Sequence, residues 1–346
     1  MKPSRDVTKR NEGSLFPKAT ILKLQKMSTE DGPGLRSTVF FKGCPLRCAW
    51  CHNPESISTR PEVHWVAQRC IGCLTCIKSC PEQALSAEDG GISVNRSLCT
   101  GCLECTKVCP STAMEAYGRI VAVDEIVRDV MKDRVYYEKS GGGVTLSGGE
   151  PSLQPVFARA LMRDLKQQGI HTALDTSGHC RWETLETLIP LADLVMYDIK
   201  LIAPEPHREH TGVTSTLILE NLLKLASFMD SADKPPELWI RTPVIPGYTN
   251  DPANIRAIGT FIRETLGNRV SRWDLCAFNN LCSDKYAGLG MEWKCRDLSH
   301  VTEDEMERLA AVARKVIERP GIVFKTGPMV SEKSRVRLSL INGGIR

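Results

Sequence analysis

The chain has 346 residues, 42% hydrophobic and 25% charged, an ordinary globular balance that excludes disorder and a collagen-like fibre. A formal net charge of +4 is too weak to argue for nucleic acid or a membrane surface. No apolar run approaches the roughly 18 residues of a membrane span, and the polar N-terminus MKPSRDVTKRNEGSLF is no signal peptide. A cytoplasmic protein of about two domains, at roughly 150 residues each, is expected.

Residues 1–18 carry charge and glycine without periodicity and read as a loose leader. ATILKLQKMS (19–28) can be a strand, and STVFFKG (37–43) reads as a buried strand that stops where the cysteines begin. Residues 61–118 are short-spaced, turn-rich and cysteine-dense, and look like an inserted module. From residue 119 onward, strands and helices alternate. Helices are expected over 124–140, 155–169, 181–192, 216–230, 251–267 and 302–318; strands over 144–151, 171–178, 193–200, 237–247, 273–278 and 322–325. This alternation implies parallel βα units with right-handed crossovers. Polar and glycine-rich residues cluster just after the strands, the edge that carries the ligand site in parallel α/β folds. Residues 331–346 form a C-terminal tail.

Cysteine is the anomaly, at 15 residues, eleven of them between Cys44 and Cys109. A reducing cytosol does not favour disulfides, so such density points to metal or redox chemistry. GCPLRCAWCHNPE (43–55) holds Cys44, Cys48 and Cys51 as C-x3-C-x2-C. Three thiolates on one short loop can hold three irons of a [4Fe–4S] cube and leave the fourth open to a ligand. A zinc knuckle or free core thiols are the alternatives; zinc would want a fourth ligand, and His52, adjacent to Cys51, is awkwardly close for tetrahedral closure. The module contains a near-repeat at an offset of 29: CIGCLTCIKSCPEQAL (70–85) and CTGCLECTKVCPSTAM (99–114). Each copy is a C-x2-C-x2-C-x3-C-P run of the bacterial ferredoxin type, in which the fourth cysteine serves the other cluster. One cube should take Cys70, Cys73, Cys76 and Cys109; the other should take Cys99, Cys102, Cys105 and Cys80. Twin runs with proline favour iron–sulfur over zinc.

C-x3-C-x2-C after a first strand, with Trp50 before the last cysteine, resembles the radical S-adenosylmethionine signature. STEDGPGLRSTVFFKGCPLRCAWCHNPE (28–55) is similar to the activating enzymes of glycyl radical enzymes, and the likeness runs from about residue 19 to 325. The resemblance implies a partial (β/α)6 TIM-like barrel over 19–60 and 119–330, interrupted by a bacterial ferredoxin-like two-[4Fe–4S] domain over 61–118. It implies three [4Fe–4S] clusters, S-adenosylmethionine on the open iron, a monovalent cation, and a flavodoxin or ferredoxin as electron donor. It further implies a 5′-deoxyadenosyl radical that takes a hydrogen from a glycine of a partner enzyme.

By the same resemblance, the cluster loop contributes Trp50 and His52 to the cofactor site. Gly148, Gly149 and Glu150 in TLSGGEP (145–151) match the motif that holds the methionine amino group, although a plain glycine turn reads as well. Asp175 in LDTSG and Asp198 in MYDIK, with the Met196 carbonyl, match a cation site beside the cofactor carboxylate. Ile199 and Lys200 follow at the same rim, with Lys200 on the carboxylate; either aspartate could instead cap a helix. Arg241 should face the rim, and Val244 and Ile245 are adenine walls or core aliphatics. Asn279 stands where the better-known pattern has histidine, and can still hydrogen-bond a nucleoside edge. Asn280, Lys285 and Tyr286 read equally as solvated loop residues. Cys180, Cys276, Cys282 and Cys295 read as buried or incidental, Cys282 lying nearest the site. His207 and His210 read as a solvated surface pair. Two further readings stay open: a radical enzyme acting on a small molecule or peptide, and an iron–sulfur electron carrier.

Overall fold

A computed structural model describes residues 17–331, so most of the leader and of the tail lies outside the described residues. β1 (Lys18–Ser28) and β2 (Arg36–Phe41) pair antiparallel. The insert follows, with β3 (Glu62–Trp65), α1 (Thr75–Lys78), β4 (Leu85–Glu88), β5 (Gly91–Val94), α2 (Glu104–Lys107) and β6 (Met114–Tyr117). The chain returns through β7 (Arg119–Ala122), α3 (Val123–Met131) and α4 (Arg134–Ser140) to β8 (Gly143–Gly148). Then come α5 (Pro155–Gln167), β9 (His171–Thr176), α6 (Trp182–Leu188), β10 (Leu194–Asp198), α7 (Pro204–Thr211), α8 (Thr216–Ser231) and β11 (Glu237–Val244). The last elements are α9 (Pro252–Phe261), β12 (Val270–Ala277), α10 (Ser283–Gly288), α11 (Glu303–Ile317) and β13 (Val323–Thr326).

Nine strands form one sheet in the order β13-β12-β11-β10-β9-β8-β2-β1-β7, parallel from β2 through β13 and antiparallel at β1 and β7. Strand alternation decides which side each residue faces. In β10, Val195 and Tyr197 join the large core under the helices, while Leu194 and Met196 pack inside the curl of the sheet with Ala173 and Trp239. Helices bury one stripe: in α5 this is Phe157, Leu161 and Leu165 with Ala158 and Met162. Their starts follow capping rules. The Asp251 side chain accepts from Ala253 N (2.8 Å) with Pro252 at the first helical position, and Thr302 Oγ1 accepts from Glu305 N (3.1 Å).

Three expectations need correction. The helix expected over 124–140 is two, because Asp133 leaves helical geometry (φ −101°, ψ 7°). Its carboxylate meets Lys26 Nζ (2.9 Å), and Tyr137 OH reaches Ser37 Oγ (2.6 Å) and Val130 O (3.0 Å). The stretch between 200 and 216, where only a loop was expected, carries α7. At the far end of α9, the chain widens into a π turn over Ile262–Leu266.

The insert has its own small core of Val63, Cys76, Leu85, Ile92, Cys105 and Met114. The 29-residue repeat is also a repeat of backbone conformation. Leu74 and Leu103 (φ 58° and 64°) both open a four-residue helix from the left-handed region, and Gln83 and Thr112 (φ 50° and 54°) recur at the same offset. Gly72 and Gly101 supply the matching positive φ where a side chain would be strained. The insert is fastened to β2 by Lys42, whose fully buried ammonium donates to Glu55 O (2.5 Å) and pairs with Glu62 Oε2 (3.0 Å). Among the described residues, no helix is long and apolar enough to cross a membrane.

Candidate functional site

Loop 44–55 leaves β2 at its C-terminal end, and its root is stitched to the turn after β8. Gly149 N donates to Phe41 O (2.9 Å) and Glu150 N to Gly43 O (2.7 Å). A Cβ on Gly148 would sit 2.6 Å from Phe41 N, and one on Gly149 would sit 2.2 Å from Gly43 O. Both glycines are therefore demanded by the close packing of two backbones, quite apart from any ligand.

The loop is gripped from two sides. Along one flank, Arg47 N and Ala49 N donate to Thr211 O (2.7 Å) and His210 O (2.9 Å) at the C-terminal end of α7. Against the other lies the segment from α10 to Trp293. Trp293 Nε1 donates to Ala49 O (3.1 Å), Tyr286 OH to Cys51 O (2.9 Å), and Lys285 Nζ to His52 O (2.9 Å) and Asn53 Oδ1 (2.8 Å). Lys285 also pairs with Glu55, whose side chain is 5% exposed, at 2.7 Å. Tyr286 is thus buried against the cysteine loop, and Lys285, a third exposed, is anchored to it rather than free in solvent. His207 corrects the surface reading as well: it is 1% exposed, and its Nδ1 lies 2.6 Å from Val213 O. His210 packs edge-on against Tyr248 (4.9 Å), which also meets Trp50 (5.8 Å). The buried Cys282 turns its thiol toward Cys51 O (3.7 Å), where burial pushes its pKa up to about 11.

A cavity of about 480 Å³ opens at the C-terminal ends of the parallel strands. It is lined by Cys44, Cys48, Trp50, Cys51 and His52, by Gly148 and Gly149, and by Asp175, Asp198, Lys200, Arg241 and Asn279. Ile245 also reaches it, whereas Val244 joins the helix-side core. Ile199, Glu150 and Met196, the last expected to act through its carbonyl, are not among the lining residues. Ile199 is buried in the main core, and the Met196 side chain packs below the rim with Ala173, Leu194 and Trp239. Glu150 is fully buried behind the glycine turn, where its carboxylate accepts from Ser152 N and Oγ, Thr176 Oγ1, and Ser177 N and Oγ at 2.7–3.2 Å. It ties the β8 turn to the β9 turn.

Sequence reasoning does not single out Asp31, which lines the same cavity and accepts from Ser28 Oγ (2.5 Å) and Thr38 Oγ1 (2.7 Å). The available signal was Thr38, a hydroxyl at an inward position of a wholly buried strand.

Charges at the rim come in opposed pairs. Lys200 Nζ pairs with Asp198 Oδ2 (2.5 Å), and Arg241 with Asp175 Oδ2 (3.4 Å), which also accepts from Ser147 Oγ (2.6 Å). Burial, helped by Asp198 and resisted by Arg241, pushes Asp175 up to about 6. Burial works against the Lys200 ammonium, yet Asp198 and the Cys48 and Cys44 thiols together raise its pKa. Burial lifts the three loop thiols, Cys44 to about 12 and Cys48 and Cys51 upward. Burial thus favours the neutral thiols here, and a metal that takes them as thiolates has to displace their protons. His52 lines the cavity, and its buried Nε2 has no protein partner.

In the insert, burial and then the neighbouring thiols, Cys99, Cys102 and Cys80 chief among them, push Cys105 up to about 11. Cys76 is raised by burial, with Cys109 and Cys73 adding. Cys80 thus shares a pocket with Cys99, Cys102 and Cys105, and Cys109 lies near Cys73 and Cys76. Among the described residues, no three Cys, His, Asp or Glu side chains converge as ligands of a single ion; a cube puts each thiolate on its own iron.

Residues 38–256 match the model of the Radical SAM superfamily. The chain is 38% identical, over 82% of its length and 89% of the relative's, to the (2S)-3-sulfopropanediol dehydratase activating enzyme of Klebsiella oxytoca. It is 40% identical, over 85% and 95%, to the isethionate sulfite-lyase activating enzyme of Nitratidesulfovibrio vulgaris. Among solved structures, a radical SAM methyltransferase from Sphaerobacter thermophilus shares the fold: TM-score 0.51, 12% identity, 91% of this chain and 79% of the other. A cysteine triplet facing a glycine turn and an acid–base rim, in a chain this close to two activators, leaves one assignment: the chain belongs to the radical SAM superfamily and, within it, to the activating enzymes of glycyl-radical enzymes.

Proposed function

We propose that the cavity binds S-adenosylmethionine against a [4Fe–4S] cube held by Cys44, Cys48 and Cys51, and that the target is a glycine Cα–H on a partner enzyme. When bound, that pair supplies one-electron cleavage of a sulfonium and a primary carbon radical able to take a hydrogen atom. The protein's share is placement and exclusion of water. The glycine turn brings bare backbone beside the cysteine loop for the amino end of the cofactor. Lys200, held by Asp198, faces its carboxylate, and Asp175 and Asp198 are the pair to receive a monovalent cation. His52 and Asn279 offer polar edges to the nucleoside, between the apolar walls of Trp50 and Ile245.

Two further cubes occupy the insert, one on Cys70, Cys73, Cys76 and Cys109 and one on Cys99, Cys102, Cys105 and Cys80. A cytoplasmic flavodoxin or ferredoxin supplies the electron. The partner enzyme is not specified by likeness, since relatives at 38% and 40% identity bear the names of different partners.

The observation that carries this reading is the joint lining of one cavity by the cysteine triplet, the glycine turn, both aspartates, Lys200 and Arg241. The test is anaerobic reconstitution with iron and sulfide, with and without Cys44→Ala/Cys48→Ala/Cys51→Ala. The native chain should cleave S-adenosylmethionine under a strong reductant and raise a glycyl doublet in the electron paramagnetic resonance of its partner. Cleavage that survives the triple substitution overturns the assignment.

A further inference from the structure

The two cysteine cradles of the insert stand differently toward loop 44–55. Val63 borders the same small pocket as Cys80, Cys99, Cys102 and Cys105. Its carbonyl accepts from Arg96 Nη1 (2.6 Å), and Arg96 Nη2 donates to Gly288 O (2.9 Å), at the end of α10. His64, next to Val63, lies so close that a Cβ on Gly288 would sit 2.4 Å from its Nδ1, and its ring stacks on Tyr117 (5.0 Å, 6°). Two residues back along α10, Tyr286 donates to Cys51 O, and the adjacent Lys285 to His52 O. An unbroken path of hydrogen bonds and one helical turn therefore joins the pocket of the second run to the cysteine loop.

The first run is held from within. Arg69, which precedes Cys70, pairs with Glu115 and donates to Thr112 (3.4 Å), both in the insert. Cys109 accepts from Met114 N (3.5 Å), at the end of the β3–β6 pair away from the Lys42–Glu62 fastening. Three residues of strand, about 10 Å, separate those two ends.

We propose that Arg96 and the 285–293 segment act as a positioning strut. They hold the Cys80/Cys99/Cys102/Cys105 cradle beside the Cys44–Cys51 loop and leave the Cys70/Cys73/Cys76/Cys109 cradle on the far side. This inference rests on the reading that both cradles carry four-iron cubes. It makes Arg96 a positioning residue for a metal centre to which it is not itself a ligand.

The experiment uses the full chain, reconstituted anaerobically and photoreduced, with spin relaxation and dipolar broadening of the open-iron signal as readout. Native protein should hold about 12 irons, four per cube, and show broadening. Cys99→Ser/Cys102→Ser should lower iron to about 8 and remove the broadening. Cys70→Ser/Cys73→Ser should lose the same iron and keep it. Arg96→Met should keep all the iron while the broadening weakens, and Arg96→Lys should restore part of it. Broadening lost with the first cradle and kept without the second overturns the strut, as does an unchanged signal in Arg96→Met with normal iron. A native chain holding only about 4 irons overturns the three-cube reading itself. If Arg96→Met does not fold, the two cradle variants still decide.

Discussion

Glu150 accepts five hydrogen bonds from three residues and faces no part of the cavity. Glu150→Gln turns an amide NH2 toward a backbone N–H that cannot accept, of Ser152 or of Ser177, and should cost about 3 kcal/mol by urea unfolding, in line with disrupted buried charged hydrogen bonds. The affinity of the folded fraction for S-adenosylmethionine should change little. Lys200→Ala should weaken the cofactor as well as lower the urea midpoint, because Lys200 lines the cavity and pairs with Asp198. Lys285→Met leaves the Glu55 carboxylate buried without its cation, and should cost about 3 kcal/mol. If the strain is that lone charge, adding Glu55→Gln should recover most of the loss, and a double-mutant cycle measures it.

Elements on the regular strand–helix beat were legible because each buries its stripe or face in isolation. β8 to β13 fall close to their expected ranges, and so does the triplet loop, since cysteine spacing is written in the chain. What escaped was tertiary. PEPHREHT over 204–211 has a polar composition, yet α7 presents its last carbonyls to Arg47 and Ala49 and buries His207 beneath them. Lys285 and Tyr286 read as loop because their partners are backbone carbonyls more than 230 residues away. The burial of His207 has a measurable sign. Burial lowers its pKa below the ordinary value of about 6.5, so as pH falls below that value the unfolded chain takes up a proton that the folded chain resists. Stability of the metal-free protein should therefore decline with acidification from about pH 6.5 downward, and His207→Gln should flatten that slope. A slope identical in both proteins removes His207 as its source.

At the scale of the whole molecule, stability is unevenly shared. The sheet rests on a core of several dozen buried side chains, whereas the insert has six, two of them cysteines. Clusters in the insert would supply much of its folding energy, as structural metals do in other small modules. Limited proteolysis should cut within 61–118 after iron is chelated and spare that stretch in reconstituted protein, with the sheet intact in both. Among the described residues the sheet ends at β13 and β7 without closing, and its cavity is bordered by Lys23, Gln25 and Phe40 from one end and by Thr326, Gly327 and Pro328 from the other. A complete ring of strands would have to give up ladder hydrogen bonds, at about 1 kcal/mol net apiece, before an outside polypeptide could reach its interior. Here the described strands leave β7 and β13 unjoined. A visiting main chain can slide between unpaired margins, be worked upon and withdraw, and no rung of the host need break on either passage.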